Sequence, residues 1–498
     1  MSSTDTTLDL LKAALSGDDI SKSITTANGL VAYDLQAPAK NLYPVYTPLR
    51  NRIPRVGGGK GLATNWRQIS SIVGSGFDNS GWIPEGQRSG RMSYSTASKA
   101  ASYVTFGEED SVTFEAINAG KTFEDLQATM TMRLLQKLML KEENAILGGN
   151  ASIALGIPAT PTASAAGSGA TLPAATYSVI VVALTQEGVY NSTLTAGVAT
   201  SKTVTGADGG TYTINGGSSN KSAAASQAVT LGQTLSASVT PIQGAAGYAW
   251  FVGVSGSEKL EAITSINSVT FSAPLTGGAR QAATAITADS SLNTTAYDGL
   301  LTAALNPANN AYVKTMATGT AGTGTPLTAS GRGSVVEIDT MFKSMWDNYQ
   351  LSPTVLYVNS QELANITTKC LAGAGGTSLL RYNTDQSLAG GGQPYGVVAG
   401  GVVNSYYNPF MPDGGKIIPV RVHPKVPAGM VIGWAENLPM YYQNNEVGNV
   451  AEVKTRQDYY SVDWPLRTRQ REAGVYCESV LAIYAPFALG IICNIANG

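Results

Sequence analysis

The residues that could do chemistry are few. The only histidine, His423, stands in RVHPKVPAG, where a strand runs into a turn. The three cysteines, Cys370, Cys477 and Cys493, are far apart and form no CxxC pair. A structural zinc site takes about four ligands, more than this set offers together. The cysteines therefore read as small buried apolar side chains. General acid–base catalysis needs a partner held beside the imidazole, and no recognisable nucleophile motif accompanies it. Gly57, Gly58 and Gly59 precede Lys60, but Pro54 occupies the position where a phosphate-binding loop needs its first glycine, and Gly61 follows the lysine. No enzyme activity, metal or cofactor is expected.

Charged residues offer contact chemistry instead. Arg467, Arg469 and Arg471 alternate, so on a strand they share one face. That face suits salt bridges to a neighbouring subunit, plain solvation, or DNA. Glu85, Arg88 and Arg91 lie in the turn-rich stretch GWIPEGQRSGR and are candidates for the same inter-subunit pairing. The formal net charge is −2, too small for an electrostatic case for tight nucleic-acid or membrane binding. No run of about 18 apolar residues would cross a membrane as a helix. The N-terminus lacks the basic and apolar regions of a secretory signal, so export is not expected.

These residues must be positioned by several units. Residues 1–56 read as an arm, with a short amphipathic helix around Leu8, Leu11 and Leu15 and then Pro38, Pro44, Pro48 and Pro54, a density that blocks helix. Residues 57–120 read as an extended β-hairpin loop and its return strand, which needs a partner because isolated hairpins are marginal. Within 121–157 lies the strongest helix, over 122–147. Thr122 is its expected N-cap, and Phe123, Leu126, Met130, Leu134 and Leu138 form one apolar face. At about 39 Å it suits a spine.

Residues 158–290 differ from the rest, with 9 charged residues in 133 and strand-rich segments broken by Gly, Ser and Asn clusters. They read as an inserted all-β sandwich of fibronectin or immunoglobulin-like kind. Trp250 and Tyr248 are its candidate core aromatics, one of them facing outward. An insertion leaves from a surface loop, so deleting about 160–288 with a short linker is expected to leave the parent fold able to assemble. Residues 291–330 read as a connection. In 331–440, a capping box at Ser334–Glu337 opens a helix with Phe342 and Trp346 in its core, followed by a strand, a second helix and a glycine-rich loop, AGGGQPYG. The remainder, 441–498, reads as closing strands.

This α+β layout resembles the major capsid protein of tailed bacteriophages, the Hong Kong 97-type fold. The resemblance is carried in order by GWIPEGQ, EEDSVTFEAINAG, the helix ending LKEENAILGGN, SPTVLYVNSQELANI, and GMVIGWAENLPMYY with VYCESVLAIYAPFALGIICNI. It implies an N-terminal arm, an extended loop, a spine helix, and peripheral and axial domains: 121–157, 291–330 and 441–498 would be peripheral and 331–440 axial, with the insertion as a decoration.

The resemblance also implies a function. The chain would assemble with itself as hexamers and pentamers into an icosahedral shell around double-stranded DNA, contacting the DNA weakly and non-specifically. Scaffolding and portal proteins would be partners, with a decoration protein or host-surface ligand for the outward-facing insertion. It would form the virion capsid, assembled in the host cytoplasm, with no membrane involved. The family's lysine–asparagine crosslink is left open at Lys60 and Lys99. An encapsulin-type compartment shell, or a cell-surface or tail adhesin, are the alternatives.

Overall fold

The computed structural model describes residues 42–77, 79–121, 123–331, 333–373, 403–411, 414–439 and 448–498. The expected helix near Leu8, the cap at Thr122 and the AGGGQPYG loop lie outside them. The architecture is mixed α+β.

The chain opens with α1 (Pro48–Arg52), β1 (Arg55–Val56), β2 (Ala63–Val73), β3 (Ser93–Ser102), β4 (Val104–Thr113), α2 (Phe114–Gly120) and the spine helix α3 (Leu126–Gly148). β2 and β3 pair only with each other, antiparallel from Ala63↔Ser102 to Val73↔Ser93. β4 turns back and joins a different sheet.

α3 starts later than its periodicity suggested. Asp125 caps it, its Oδ1 accepting from Gln127 N and Ala128 N at 3.1 Å. Carboxylates are strong caps because they meet free N–H groups at the positive end of the helix. Phe123 therefore falls outside the helix and is 43% exposed, correcting its place in the spine core. Leu126 is half-buried. Met130, Leu134 and Leu138 are buried against Ala473, Val475 and Cys477. The helix spans about 35 Å.

The segment after α3 holds β5 (Thr162–Ala166), β6 (Ala175–Leu184), α4 (Gln186–Asn191), β7 (Ser201–Thr205), β8 (Thr211–Asn215), β9 (Ala225–Val229), β10 (Thr234–Ser238), β11 (Gly247–Gly253), β12 (Lys259–Thr264) and β13 (Ser268–Phe271). Two sheets, β13-β10-β5 and β12-β11-β6-β9, pack over a shared core that includes Leu172, Val181, Leu235 and Trp250. Tyr248 and Trp250 both point into it. This corrects the expectation that one faces out: residues two apart on a strand share a side. Ala249 and Phe251 fill a second cluster on the opposite face, with Val198, Ala283 and Ile286 from the flanking loops. The larger sheet is thus buried on both sides, which is why β6 is a nearly unbroken apolar run, TYSVIVVAL.

The segment leaves and returns at one place. Asn293 N donates to Asn150 O at 2.9 Å, and Gly299 N to Gly149 O at 2.8 Å. The approach is so close that a Cβ on Gly149 would lie 2.5 Å from Tyr297 O, hence glycine.

Beyond it come α5 (Leu300–Leu305), β14 (Tyr312–Thr315), α6 (Val336–Tyr349), β15 (Val355–Val358), α7 (Ser360–Gly373), β16 (Ser405–Asn408), β17 (Lys416–Val422), β18 (Val431–Trp434), β19 (Ala451–Asp463), β20 (Gln470–Ile483) and β21 (Leu489–Cys493). A six-stranded sheet runs β14-β21-β18-β15-β17-β16. It draws strands from three segments that the sequence presents as separate, 291–330, 331–440 and 441–498.

The capping box at Ser334 is not formed. Val335 holds the N-cap position of α6 without a side-chain bond. Ser334 Oγ donates to Asp339 Oδ2 at 2.6 Å, and Glu337 Oε2 accepts from Thr328 N instead. Phe342 is fully buried, edge-on to Tyr406 at 5.7 Å. Trp346 is only half-buried; Met341 and Met345, on the inward side of α6, occupy the place expected for it. A last sheet, β1-β19-β20-β4, lies under α3.

Candidate assembly interface

Two features stand out: a buried ionic junction at the root of the arm, and a hairpin whose outer apolar residues have no core of the described residues beneath them.

The junction is built on the spine helix. The row Met130, Leu134, Leu138 continues at the same spacing to Glu142, so the apolar stripe delivers a carboxylate into the interior. Glu142 and Glu143 are each 1% exposed. Glu142 Oε2 accepts from Arg50 Nε at 2.9 Å and Oε1 from Arg55 Nη1 at 2.6 Å; the Tyr459 hydroxyl also donates to it. Both guanidiniums lie over the Tyr459 ring, at 5.0 and 5.1 Å from its centre. Arg55 binds Asp458 as well. Burial opposes the Arg55 charge, but its bonds to Asp458 and Glu142 outweigh that and raise its pKa. Burial likewise works against the Asp458 carboxylate, and Arg55 overrides it, holding Asp458 below the usual range. Burial, then the Glu142 charge, push the Cys477 thiol up to about 11. All three cysteines are buried and unbridged.

Glu143 is a hub of a different kind. Its oxygens accept from Leu49 N at 3.0 Å and Arg50 N at 2.7 Å, closing off the N-terminus of α1 from another element. His423 is fully buried and its Nε2 lies 2.6 Å from Glu143 Oε1. Its Nδ1 accepts from Lys425 N at 3.1 Å, so Nε2 carries the proton given to Glu143. One carboxylate thus ties together the arm, the spine helix and the end of β17. The sole histidine serves this tie.

Among the described residues, the hairpin is anchored at its root. Trp66 meets Tyr484 edge-on at 5.3 Å, Tyr103 N donates to Leu62 O at 3.0 Å, and Arg456 donates to Gly61 O at 3.0 Å while stacking on Tyr103. Farther out, Ile69, Ile72, Met92 and Tyr94 are exposed, and Phe77 and Trp82 are 85% and 94% exposed. Glu85, Arg88 and Arg91 sit in this outer loop, all exposed and without an ion pair among the described residues. The three alternating arginines do not share a strand face: β20 begins at Gln470, leaving Arg467 and Arg469 in the preceding turn. Arg469 pairs with Glu115 of the same chain at 2.6 Å, Arg471 reaches Gln127 Oε1 at 3.3 Å, and Arg467 is exposed without an ion pair among the described residues.

The sequence reading missed Glu142 and Glu143, although a glutamate continuing an apolar row, as Glu142 does, is a visible anomaly. The pairing with His423, 280 residues away, leaves no local signal.

No family model and no curated protein matches the chain. Among solved structures it is similar to the capsid of a native GTA particle, at 10% identity and a TM-score of 0.41, over 95% of this chain and 99% of that one. It is similar to the capsid of Myoviridae phage XM1, at 10% identity and a TM-score of 0.39, over 95% and 99%. It is also similar to the holo-SrpI encapsulin complex from Synechococcus elongatus, at 8% identity and a TM-score of 0.38, over 95% of each chain.

Proposed function

We propose that this chain is a major capsid protein of the tailed-phage type. Copies of it would close, as hexamers and pentamers, into an icosahedral shell around double-stranded DNA, with the sandwich displayed outside. The observation that carries this is the β2–β3 hairpin, whose outer apolar side chains project exposed from an anchored root, with no core of the described residues beneath them. Exposed apolar area on this scale marks an interaction site, and a second copy supplies its cover in a closed symmetric assembly. The element order, arm, extended loop, spine helix, six-stranded sheet and closing strands, supports the same reading. Portal, scaffold and decoration proteins belong to it as further partners.

The test is negative-stain microscopy of the purified chain. Closed shells with surface knobs are expected. A monomer that stays monomeric at high concentration overturns the proposal, and shells carrying protein cargo and no nucleic acid make the chain an encapsulin-type shell.

A further inference from the structure

The hairpin joins the rest of the chain through two short links. One is residues 57–62, which include Gly58 and Gly61, both in the left-handed region at φ 83° and 73°. The other is Tyr103 alone, between β3 and β4. A Cβ on Gly58 or Gly61 would meet nothing within 4 Å, so these two turns are held by no packing of their own, and glycine has no side chain to limit them. β2, 11 residues long, is a lever of about 36 Å. A swing of about 10° at the root displaces its end by about 6 Å, more than the spacing between neighbouring strands.

One side chain spans this joint. Arg456 donates from Nη1 to Gly61 O of the entering link at 3.0 Å. Its Nη2 pairs with Glu478 of β20 at 2.8 Å, and its guanidinium lies over the ring of Tyr103, the leaving link, 5.4 Å from the centre. Entry, exit and underlying sheet thus share one planar group, whose fork and stacking face fix its orientation. The other contacts at the root differ in kind. Gly59 N donates to Thr455 O at 3.0 Å, ahead of Gly61. Trp66 meets Tyr484 edge-on at 5.3 Å, a largely apolar contact that marks a pivot without setting a direction about it. The ladder of β19 is broken where Arg456 stands. Its register with β20 shifts between Thr455 and Gln457, and again between Gln457 and Tyr460. Residues two apart on a regular strand share a side; here Arg456 goes to the hairpin and Asp458 to Arg55 of the arm. Bulges re-aim side chains in this way.

We infer that Arg456 is a positioning residue that locks the angle at which the hairpin leaves the sheet, and through it the curvature at which copies of the chain join. The lock itself stands on the geometry of one chain; its consequence for curvature rests on the shell reading, in which the hairpin reaches a second copy. Each copy then inherits its angle to the next from the aim of the hairpin between them. With the joint locked, that angle is repeated around the assembly, as closed symmetry requires. With the joint free, a tip that wanders by about 6 Å meets its neighbour at many angles, and the assembly loses a single radius.

The experiment measures the angle first and the shells second. Spin labels are placed on the full-length chain at Ser93→Cys, at the outer end of β3, and Ser461→Cys, on β19, both exposed positions. The native cysteines are buried and do not compete for label. Below the concentration at which chains assemble, double electron–electron resonance is expected to give one narrow distance. In Arg456→Ala the distribution is expected to widen by about 6 Å; a width equal to that of the unsubstituted chain overturns the lock. Arg456→Lys keeps the charge and loses the fork, so it is expected to widen the distribution too, and full restoration by lysine overturns the role given to the guanidinium. Melting curves check folding. Should Arg456→Ala not fold, Glu478→Gln, which removes the anchor on β20 and keeps its volume, is read in the same way. Without labels, the unsubstituted chain is expected to form shells of one diameter in negative stain, and Arg456→Ala a spread of diameters with unclosed sheets. Arg456→Ala shells of the original single diameter overturn the link to curvature. If the unsubstituted chain forms no shells, the shell reading fails, while the distances still decide the lock.

Discussion

Glu142 and Glu143 carry the strongest residue-scale expectations. Removing one partner of a buried ion pair strands the other charge and costs about 3–5 kcal/mol. Glu142→Ala, which leaves Arg50, Arg55 and Tyr459 without their acceptor, is expected to lose that much in chemical denaturation. A loss below about 1 kcal/mol would mean that the cluster contributes little. Glu187 gives the opposite sign. Burial alone pushes its carboxyl up to about 7, so the folded state holds a proton that the unfolded state releases. Its contribution to stability is full below the ordinary carboxylate range and falls as pH rises from about 4.5 to 7. Glu187→Gln should raise the melting temperature at pH 8 and leave it unchanged at pH 4; equal shifts at both would refute the assignment. Legibility at this scale followed locality. Met130, Leu134 and Leu138 announce themselves by spacing. Phe123 misled because a stronger cap, Asp125, stands two residues later. His423 found its acceptor through tertiary folding, which no local pattern records.

At the scale of elements, the inserted sandwich is less separable than its composition suggests. Its boundary shows in the sequence as a drop in charge, but its docking does not. Asn267 and Asn494, both buried, bond each other twice, Asn267 N to Asn494 Oδ1 at 2.8 Å and Asn494 Nδ2 to Asn267 Oδ1 at 3.0 Å. Asn494 takes a left-handed φ of 62° to do so, a conformation that asparagine tolerates. Gln186 bonds Asn144 of the spine helix and Lys425 O, and the Tyr190 hydroxyl bonds Pro424 O. The sandwich therefore braces the spine helix, the loop after β17 and the end of β21. Deleting 160–288 would leave these groups unpaired, so the earlier expectation of a removable decoration is revised: the shortened chain should melt well below wild type. Asn494→Ala should cost about 1–3 kcal/mol through the stranded Asn267 amide, measured by urea unfolding; a neutral result would remove the brace.

For the whole molecule, the proposed shell makes the hairpin the place where folding and assembly can be told apart. Its outer apolar residues are exposed, Trp82 at 94%, so Trp82→Asp is expected to leave the monomer's stability within the range of ordinary surface substitutions, about ±0.5 kcal/mol, while abolishing shells or raising the threshold concentration at which light scattering sees them. A large fall in monomer stability would place Trp82 in an intramolecular core instead. The junction around Glu143 adds a timetable. It joins Leu49 to His423, about 370 residues apart, and the sheet beneath α3 pairs β4 with a strand near the C-terminus. A ribosome adding about 5–20 residues per second needs roughly 20–75 s to cover that gap. Once Ser102 has been added, the hairpin is complete in sequence but its root cannot be set for a comparable time, because Arg456 and Tyr484, which hold it, do not yet exist. If chains assemble through the hairpin as proposed, nascent chains crowded on one message would be kept from presenting a properly aimed hairpin to one another until β19 and β20 are made, a safeguard written into the order of the chain.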